Sequence, residues 1–296
     1  MKRSIVFLMA AALTVCTCLY ACTGQEKTET QPVEGLENLA EVKAVAREDG
    51  SGTRAVFAQL TGLENGAPEG ISDMTRDDAL IEKSGEAVIS CVREEGSAIG
   101  YVSAGTVDED SGVKVLSVNG IAPDEDNIES GKYPLSRSFY VAYTGKLNDL
   151  ERDFLDFVRG AGQEIVAEDF VPVGSGANFL SYRTAGTIKI EGSTSVAPLM
   201  RKLADEYEKY NPEAEIIITE SDSKKGLTAA IQGKCDLAMA SRELESYEKE
   251  LLSYDMIAKD GILVTVNKKN PLQDISIGQL TDIYDGTVKE WKQLNE

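Results

Sequence analysis

Three times in this chain a short apolar run breaks into glycine and hydroxyl residues and then hands over to a helical pattern. VKAVA (42–46) leads into REDGSGTRAVF (47–57), TIKI (187–190) into EGSTSVAPLM (191–200), and EIIIT (215–219) into ESDSKKGLTAAIQ (220–232). Repeated strand, turn and helix restricts the fold to α/β architecture. Each such turn also offers backbone N–H groups at the positive end of a helix, the arrangement that cradles an anion. Ser51, Gly52 and Thr53 supply hydroxyls and close backbone approach in the first turn. Ser193, Thr194 and Ser195 do so in the second, and Ser223, followed by Lys224, Lys225 and Gly226, in the third. Serine and threonine are ordinary helix caps, so one turn alone says little; convergence of the three would make a site. Arg47 adds a planar fork that matches a tetrahedral oxyanion, with Asp49 expected to hold it in place.

Elsewhere the pattern predicts strands at 87–92, 98–105 and 113–120, and an extended aromatic segment at 133–145. Helices are expected at 147–162 and 163–170, with a connector at 171–186. A helix over PLMRKLADEYEKYN (198–211), a turn at 221–226, a helix at 227–232 and a strand at 236–241 follow. A long strand at 260–271 and a short helix at 275–286 complete the reading, while residues 62–78, rich in Gly, Asp and Pro, read as loops.

Composition removes several function classes. The 296 residues contain no histidine, which excludes a Ser-His-Asp triad, a Cys-His dyad and any His-bearing zinc site. No carboxylate pair stands out for acid–base work, so neither an enzyme nor a cofactor or metal is expected. Met1-Lys2-Arg3, an apolar run and Leu19-Tyr20-Ala21-Cys22 form an export signal, too short for a membrane span. Leu-x-Ala-Cys resembles the bacterial lipobox, which would lipidate Cys22 and leave residues 23–35 as a polar, disordered tether. Loss of Lys2 and Arg3 leaves 28 basic against 50 acidic residues, a mature charge of about −22. That surface argues against nucleic acid, and long-range attraction does not draw a small anion to it; local donors must. Cys91 and Cys235, in apolar settings, are expected to be unpaired.

Taken together, REDGSGTRAVF, IEGSTSVAPLM, SDSKKGLTAAIQGKCDLAMASRELE and IAKDGILVTVNKKNP resemble the phosphate-binding lipoproteins of bacterial phosphate ABC transporters, over nearly all of residues 42–296. The resemblance implies a two-lobed periplasmic-binding-protein fold of type II-like form, with a ligand cleft between the lobes. It implies capture of inorganic phosphate for the membrane subunits of an ABC permease, without chemistry. A monomer is expected, reaching the membrane only through its lipid anchor on the extracytoplasmic face of the bacterial cell. The residues implied as phosphate donors are Arg47, Ser51, Gly52, Thr53, Thr194, Ser195 and Ser223.

The resemblance departs from the family at two points. Where some members carry an aspartate after the serine of the ASR segment, this chain has Arg242 after Ser241, leaving the acceptor for a phosphate proton unassigned. Asp222 and Glu243 are candidates, and such an acceptor would reject sulfate, which has no proton to give. The order of the loops is also reversed, GSGTR preceding GSTS, so the chain resembles a circular permutant or a truncated tandem. On the family template, lobe 2 comprises 36–132 and 268–296, lobe 1 comprises 133–267, and residues 174–186 join former termini. The crossings at 133–145 and 260–271 would form the hinge. A sensor or adhesion lipoprotein that kept the fold without transport, or a receptor for another tetrahedral oxyanion, are the alternatives.

Overall fold

The computed structural model describes residues 32–67 and 70–296. The signal at 1–22, the lipidation at Cys22 and tether residues 23–31 lie outside the described residues. After a 3-10 turn at Leu36–Asn38 come β1 (Lys43–Arg47), α1 (Gly52–Thr61), β2 (Glu64–Ala67), β3 (Gly70–Asp73), β4 (Leu80–Glu82), α2 (Gly85–Glu94), β5 (Ala98–Ser103), β6 (Val113–Val115), β7 (Ser117–Val118) and α3 (Glu125–Glu129). The middle of the chain forms β8 (Ser136–Tyr143), α4 (Asp149–Arg159), α5 (Gln163–Asp169), β9 (Gly186–Ser193), α6 (Ala197–Tyr210), β10 (Ala214–Ser221) and α7 (Ser223–Ile231). Last come β11 (Leu237–Ala240), α8 (Ser246–Leu251), β12 (Ser253–Asn267), β13 (Asp274–Ile275) and α9 (Ile277–Tyr284).

The main sheet runs β10-β9-β11-β8-β12-β5-β1-β4, with β6 also on β12. β1 pairs in parallel with β4 and β5, and β9 in parallel with β10 and β11. β1, β5 and β11 read as nearly unbroken apolar runs, as buried parallel strands do, whereas the outer strands β4 and β10 leave Leu80, Ile81 and Ile217 exposed. Antiparallel β8 and β12 lie between the two parallel sets. β12 serves two cores along its length. Ile257 and Ala258 pack with Phe139, Phe154, Leu203 and Tyr207, whereas Ile262, Val264 and Val266 pack with Phe57, Tyr101, Tyr284 and Trp291. Tyr133 and Leu135 belong to the latter core as well. Phe57 stacks on Tyr101 with ring centroids 3.9 Å apart and meets Tyr284 edge-on, which fixes α1 over β5.

Several local expectations are corrected. AVISCV is not a strand but the middle of α2: Ser84 caps it by accepting the Ala87 N–H at 3.1 Å, and Val88 and Val92 fall one turn apart on its buried face. A six-residue apolar run fits either state, and the cap decides. The 221–226 turn is shorter than expected, because Asp222 caps α7 and helix begins at Ser223. VKVLSVNG divides into β6 and β7, which pair with different partners. Residues 62–78 are not all loop, since β2 and β3 form an antiparallel hairpin. β12 starts at Ser253, seven residues before the expected strand, and carries an irregularity between Met256 and Ala258. The tether is not loose at its end: Val33 exchanges hydrogen bonds with the Asn295 side chain at 2.8 and 3.0 Å and packs on the first core. Cys91 and Cys235 are free thiols.

Candidate functional site

The three glycine- and hydroxyl-bearing turns meet. Each lies at the carboxyl end of a parallel strand, where open α/β sheets present their ligand crevices. β1 delivers Ser51, Gly52 and Thr53 to the start of α1; β9 delivers Ser193, Thr194 and Ser195 ahead of α6; β10 delivers Ser223 to the start of α7. β11 ends one residue before Ser241, which is fully buried.

Hydroxyls fill the meeting point. Thr53 Oγ1 lies 3.0 Å from Ser195 Oγ, Ser193 Oγ donates to Ser241 Oγ at 2.9 Å, and Ser223 and Ser241 hydroxyls are 3.4 Å apart. Ser223 Oγ also accepts the Ser241 N–H at 3.1 Å. Because hydroxyls both donate and accept, they can satisfy one another or turn together toward an anion. Thr194 Oγ1 is buried with no hydrogen-bond partner, a donor at the rim of the cluster that a ligand would satisfy.

Gly52 sets how closely the turns approach. A Cβ there would stand 2.6 Å from Ser241 Oγ and 2.9 Å from Ser193 Oγ. A second glycine contact seats α7 on β9: a Cβ on Gly226 would lie 2.5 Å from Gly192 Cα.

Clefts flank the cluster on two sides. One, about 370 Å³, is bounded by Ser51, Gly52, Arg54, Ser223, Ser241 and Arg242. The other, about 260 Å³, is bounded by Arg47, Glu48, Thr53, Thr194 and Ser195. The donors implied by the resemblance therefore all border one cluster.

The charged neighbours differ from expectation. Arg47 is held by Glu48, through Nε at 2.9 Å and Nη2 at 3.0 Å, and not by Asp49. Asp49 pairs instead with Arg54 at 3.0 Å, because α1 turns the Arg54 side chain back over the loop to reach the Arg47 carbonyl and Asp73. Asp222 borders the larger cleft but caps α7, accepting the Lys225 N–H at 2.7 Å. Burial alone would raise its carboxyl; the Lys225 hydrogen bonds and charge outweigh that and hold it below the usual range. Glu243 lines neither cleft and accepts the Tyr140 hydroxyl, which burial and that contact push up to about 12. Arg242 lines the larger cleft while its guanidinium grips Glu248 with two 2.8 Å bonds.

Two residues were missed by sequence reasoning. Arg137, on β8, directs Nη1 to the Gly52 carbonyl at 3.3 Å and Nη2 to Thr53 Oγ1 at 3.2 Å. Asp260, on β12, takes its Nε at 2.7 Å. Burial pushes the Arg137 guanidinium below its usual range, Asp260 opposes the fall, and the positive charge of Arg47 adds to it. The signal was available in SRSFYVAY, with Arg137 its one charge, and in AKDGILVTV, where Lys259 and Asp260 precede an apolar run; a charge buried in such a strand must be paired.

Comparison with known proteins bears on the family and the fold. The PBP superfamily domain pattern matches residues 31–160 and 180–296. Phosphate-binding protein PstS 2 of Streptococcus pneumoniae is 35% identical over 279 residues, 93% of this chain and 94% of that protein. The protein of the same name from Streptococcus agalactiae is 37% identical over 260 residues, 86% of this chain and 88% of its own length. A crystal structure of a phosphate-binding protein of a phosphate ABC transporter from S. pneumoniae superposes with a TM-score of 0.79 at 36% identity, covering 86% of this chain and 99% of that one. A phosphate-binding protein PstS from Staphylococcus saprophyticus matches only 41% of each chain, at 35% identity. The two-lobed α/β fold and the near full-length match to the streptococcal proteins lead to one assignment: the chain belongs to the PBP superfamily and, within it, to the family of phosphate-binding proteins PstS.

Proposed function

We propose that this chain is an extracytoplasmic solute-binding protein that captures inorganic phosphate and passes it to the membrane subunits of an ABC transporter, performing no chemistry itself. The observation that carries the reading is the hydroxyl cluster at the starts of α1, α6 and α7. Orphan N–H groups at helix starts and hydroxyl donors offer a small anion many hydrogen bonds without a large net positive field. Ser51, Gly52, Thr53, Thr194, Ser195, Ser223 and Ser241 are the donors in this reading, with Arg47 and Arg137 as nearby cations. The expected division into 36–132 with 268–296 and 133–267 shifts at both crossings, because Tyr133, Leu135, Ile262, Val264 and Val266 pack in the first core; the lobes in this reading meet within β8 and β12 and close about those strands. Cys22 carries a lipid anchor, and the protein works as a monomer on the outer face of the membrane. The reversed loop order, that of a circular permutant or of a truncated tandem, leaves each ligand loop present once, so one chain holds the parts of one site.

Another tetrahedral oxyanion is the second reading, because Glu243 bonds Tyr140 and lines neither cleft, and Asp222, though it borders the larger one, is taken up by the Lys225 N–H. Calorimetric titration of the anion-stripped protein with phosphate, sulfate and tungstate between pH 5 and 8 separates the readings. Phosphate is expected to bind at one site per chain with sulfate silent. A folded protein that binds none of the three would overturn both.

A further inference from the structure

The anion loop is braced from outside its own turn. Arg137 on β8 and Asp260 on β12 are cross-strand partners on the two antiparallel strands between the parallel sets. Their side chains are 2% and 0% exposed, and Arg137 Nη2 stands 2.6 Å from Asp260 Oδ2. Asp260 is otherwise saturated, by the Ser103 hydroxyl at 2.9 and 3.0 Å and the Ala104 N–H at 3.1 Å. The remaining face of the guanidinium meets the first turn of α1 at Gly52 O and Thr53 Oγ1, and Thr53 in turn touches Ser195. A cation buried at the N-terminal turn of a helix opposes the helix dipole, and a buried ion pair is a weak source of stability. Its position is better explained by what it orders.

We propose that Arg137, backed by Asp260, is a positioning residue for the anion site: it fixes Thr53 against Ser195 and thereby couples the seating of the ligand to closure about β8 and β12. The inference rests on the phosphate reading above. Its geometry is a relay from the buried carboxylate to the guanidinium, to the threonine hydroxyl, and across to the serine hydroxyl of the other loop. Lysine preserves the charge but lacks the fork that reaches Asp260 and Thr53 together.

The experiment is a double-mutant cycle on the full described chain with Arg137→Lys and Thr53→Val, reading phosphate affinity by calorimetry and phosphate-induced compaction by small-angle scattering. Arg137→Lys alone is expected to weaken phosphate about tenfold to a hundredfold and to lose the compaction. Added to Thr53→Val it should cost far less, because both changes break one relay. Asp260→Asn should behave like Arg137→Lys, and Arg152→Gln, at an exposed helix position, should change nothing. If wild type fails to bind phosphate, the functional reading fails. If wild type binds but the two changes add fully, or Arg137→Lys keeps wild-type affinity and compaction, this inference alone is overturned. Should Arg137→Lys not fold, the same comparison between Asp260→Asn and Thr53→Val decides it.

Discussion

At the residue scale, Gly52 is the position with least latitude. The hydrogen atom on its Cα faces two serine hydroxyls at distances no methyl group tolerates. Gly52→Ala should force the α1 turn away from Ser193 and Ser241 at a cost of about 1–3 kcal/mol. If that strain falls on the bound state, phosphate weakens by about ten- to a hundredfold, measurable by calorimetry. An alanine variant with unchanged affinity would mean that the ligand does not need the turns this close. The hydroxyl-bearing turns around Gly52 drew notice in the sequence because the same strand, turn and helix recurs three times, whereas any one of them could be an ordinary cap. Arg137 and Asp260 were not read, since their partners lie 85 and 123 residues away along the chain and no local pattern announces a contact that distant.

At the element scale, α8 depends on one ion pair. Its six residues are too few to hold a helix by propensity. Glu248 fastens it, 1% exposed, gripped by Arg242 and by the Glu245 N–H at 2.8 Å. Burial alone would raise the Glu248 carboxyl, but the Arg242 hydrogen bonds, the Glu245 N–H and the Arg242 charge bring it below its ordinary value. A folded value below the unfolded one stabilises the protein above the unfolded pKa of about 4.3 and is lost as pH falls through the folded value. Arg242→Ala should therefore destabilise the fold by about 3 kcal/mol at pH 7, leaving a buried charge unpaired. Glu248→Gln should lose stability less steeply than wild type below pH 5, as followed by thermal melts. Identical acid limbs would remove this pair from the account. Neither α8 nor the β2–β3 hairpin was legible beforehand. SYEKEL lacks an apolar stripe long enough to show a period, and the hairpin strands are rich in Gly, Asn and Asp, which strands disfavour. By contrast, the long amphipathic helices α4 and α6 declared themselves, because several turns of consistent spacing leave one interpretation.

At the scale of the whole molecule, the full chain carries a formal charge of −20 and, in the proposed reading, captures an anion. Attraction must then be short-range, from helix starts and hydroxyls, while the distant field repels the ligand. Raising ionic strength from about 0.01 to 0.15 M shortens the screening length from about 30 to about 8 Å. The association rate constant for phosphate should consequently rise with salt, as followed by stopped flow with a reporter dye at the cleft rim. A rate that falls with salt would mean that a local positive field reaches beyond the cleft and governs encounter. The α/β class followed from pattern, whereas the meeting of the three turns was only a condition that the pattern posed. How β12 divides its length between two cores was not read, although Lys259-Asp260-Gly261 breaks its apolar residues between Ala258 and Ile262, where the neighbours change.

The exposed run at 173–178, followed by Phe179 packed on the second core and Ser181 anchored to Asp153 at 2.6 Å, has one further implication. Its downstream side is moored by side chains, and its upstream side by the Gln163 carboxamide, which accepts the Val173 and Gly174 N–H groups. The covalent link between those moorings is thus a bystander to the architecture. Evolution could sever it and splice the gene elsewhere, shuffling which lobe is translated first, while the cradle for the ligand is rebuilt unchanged from the same pieces.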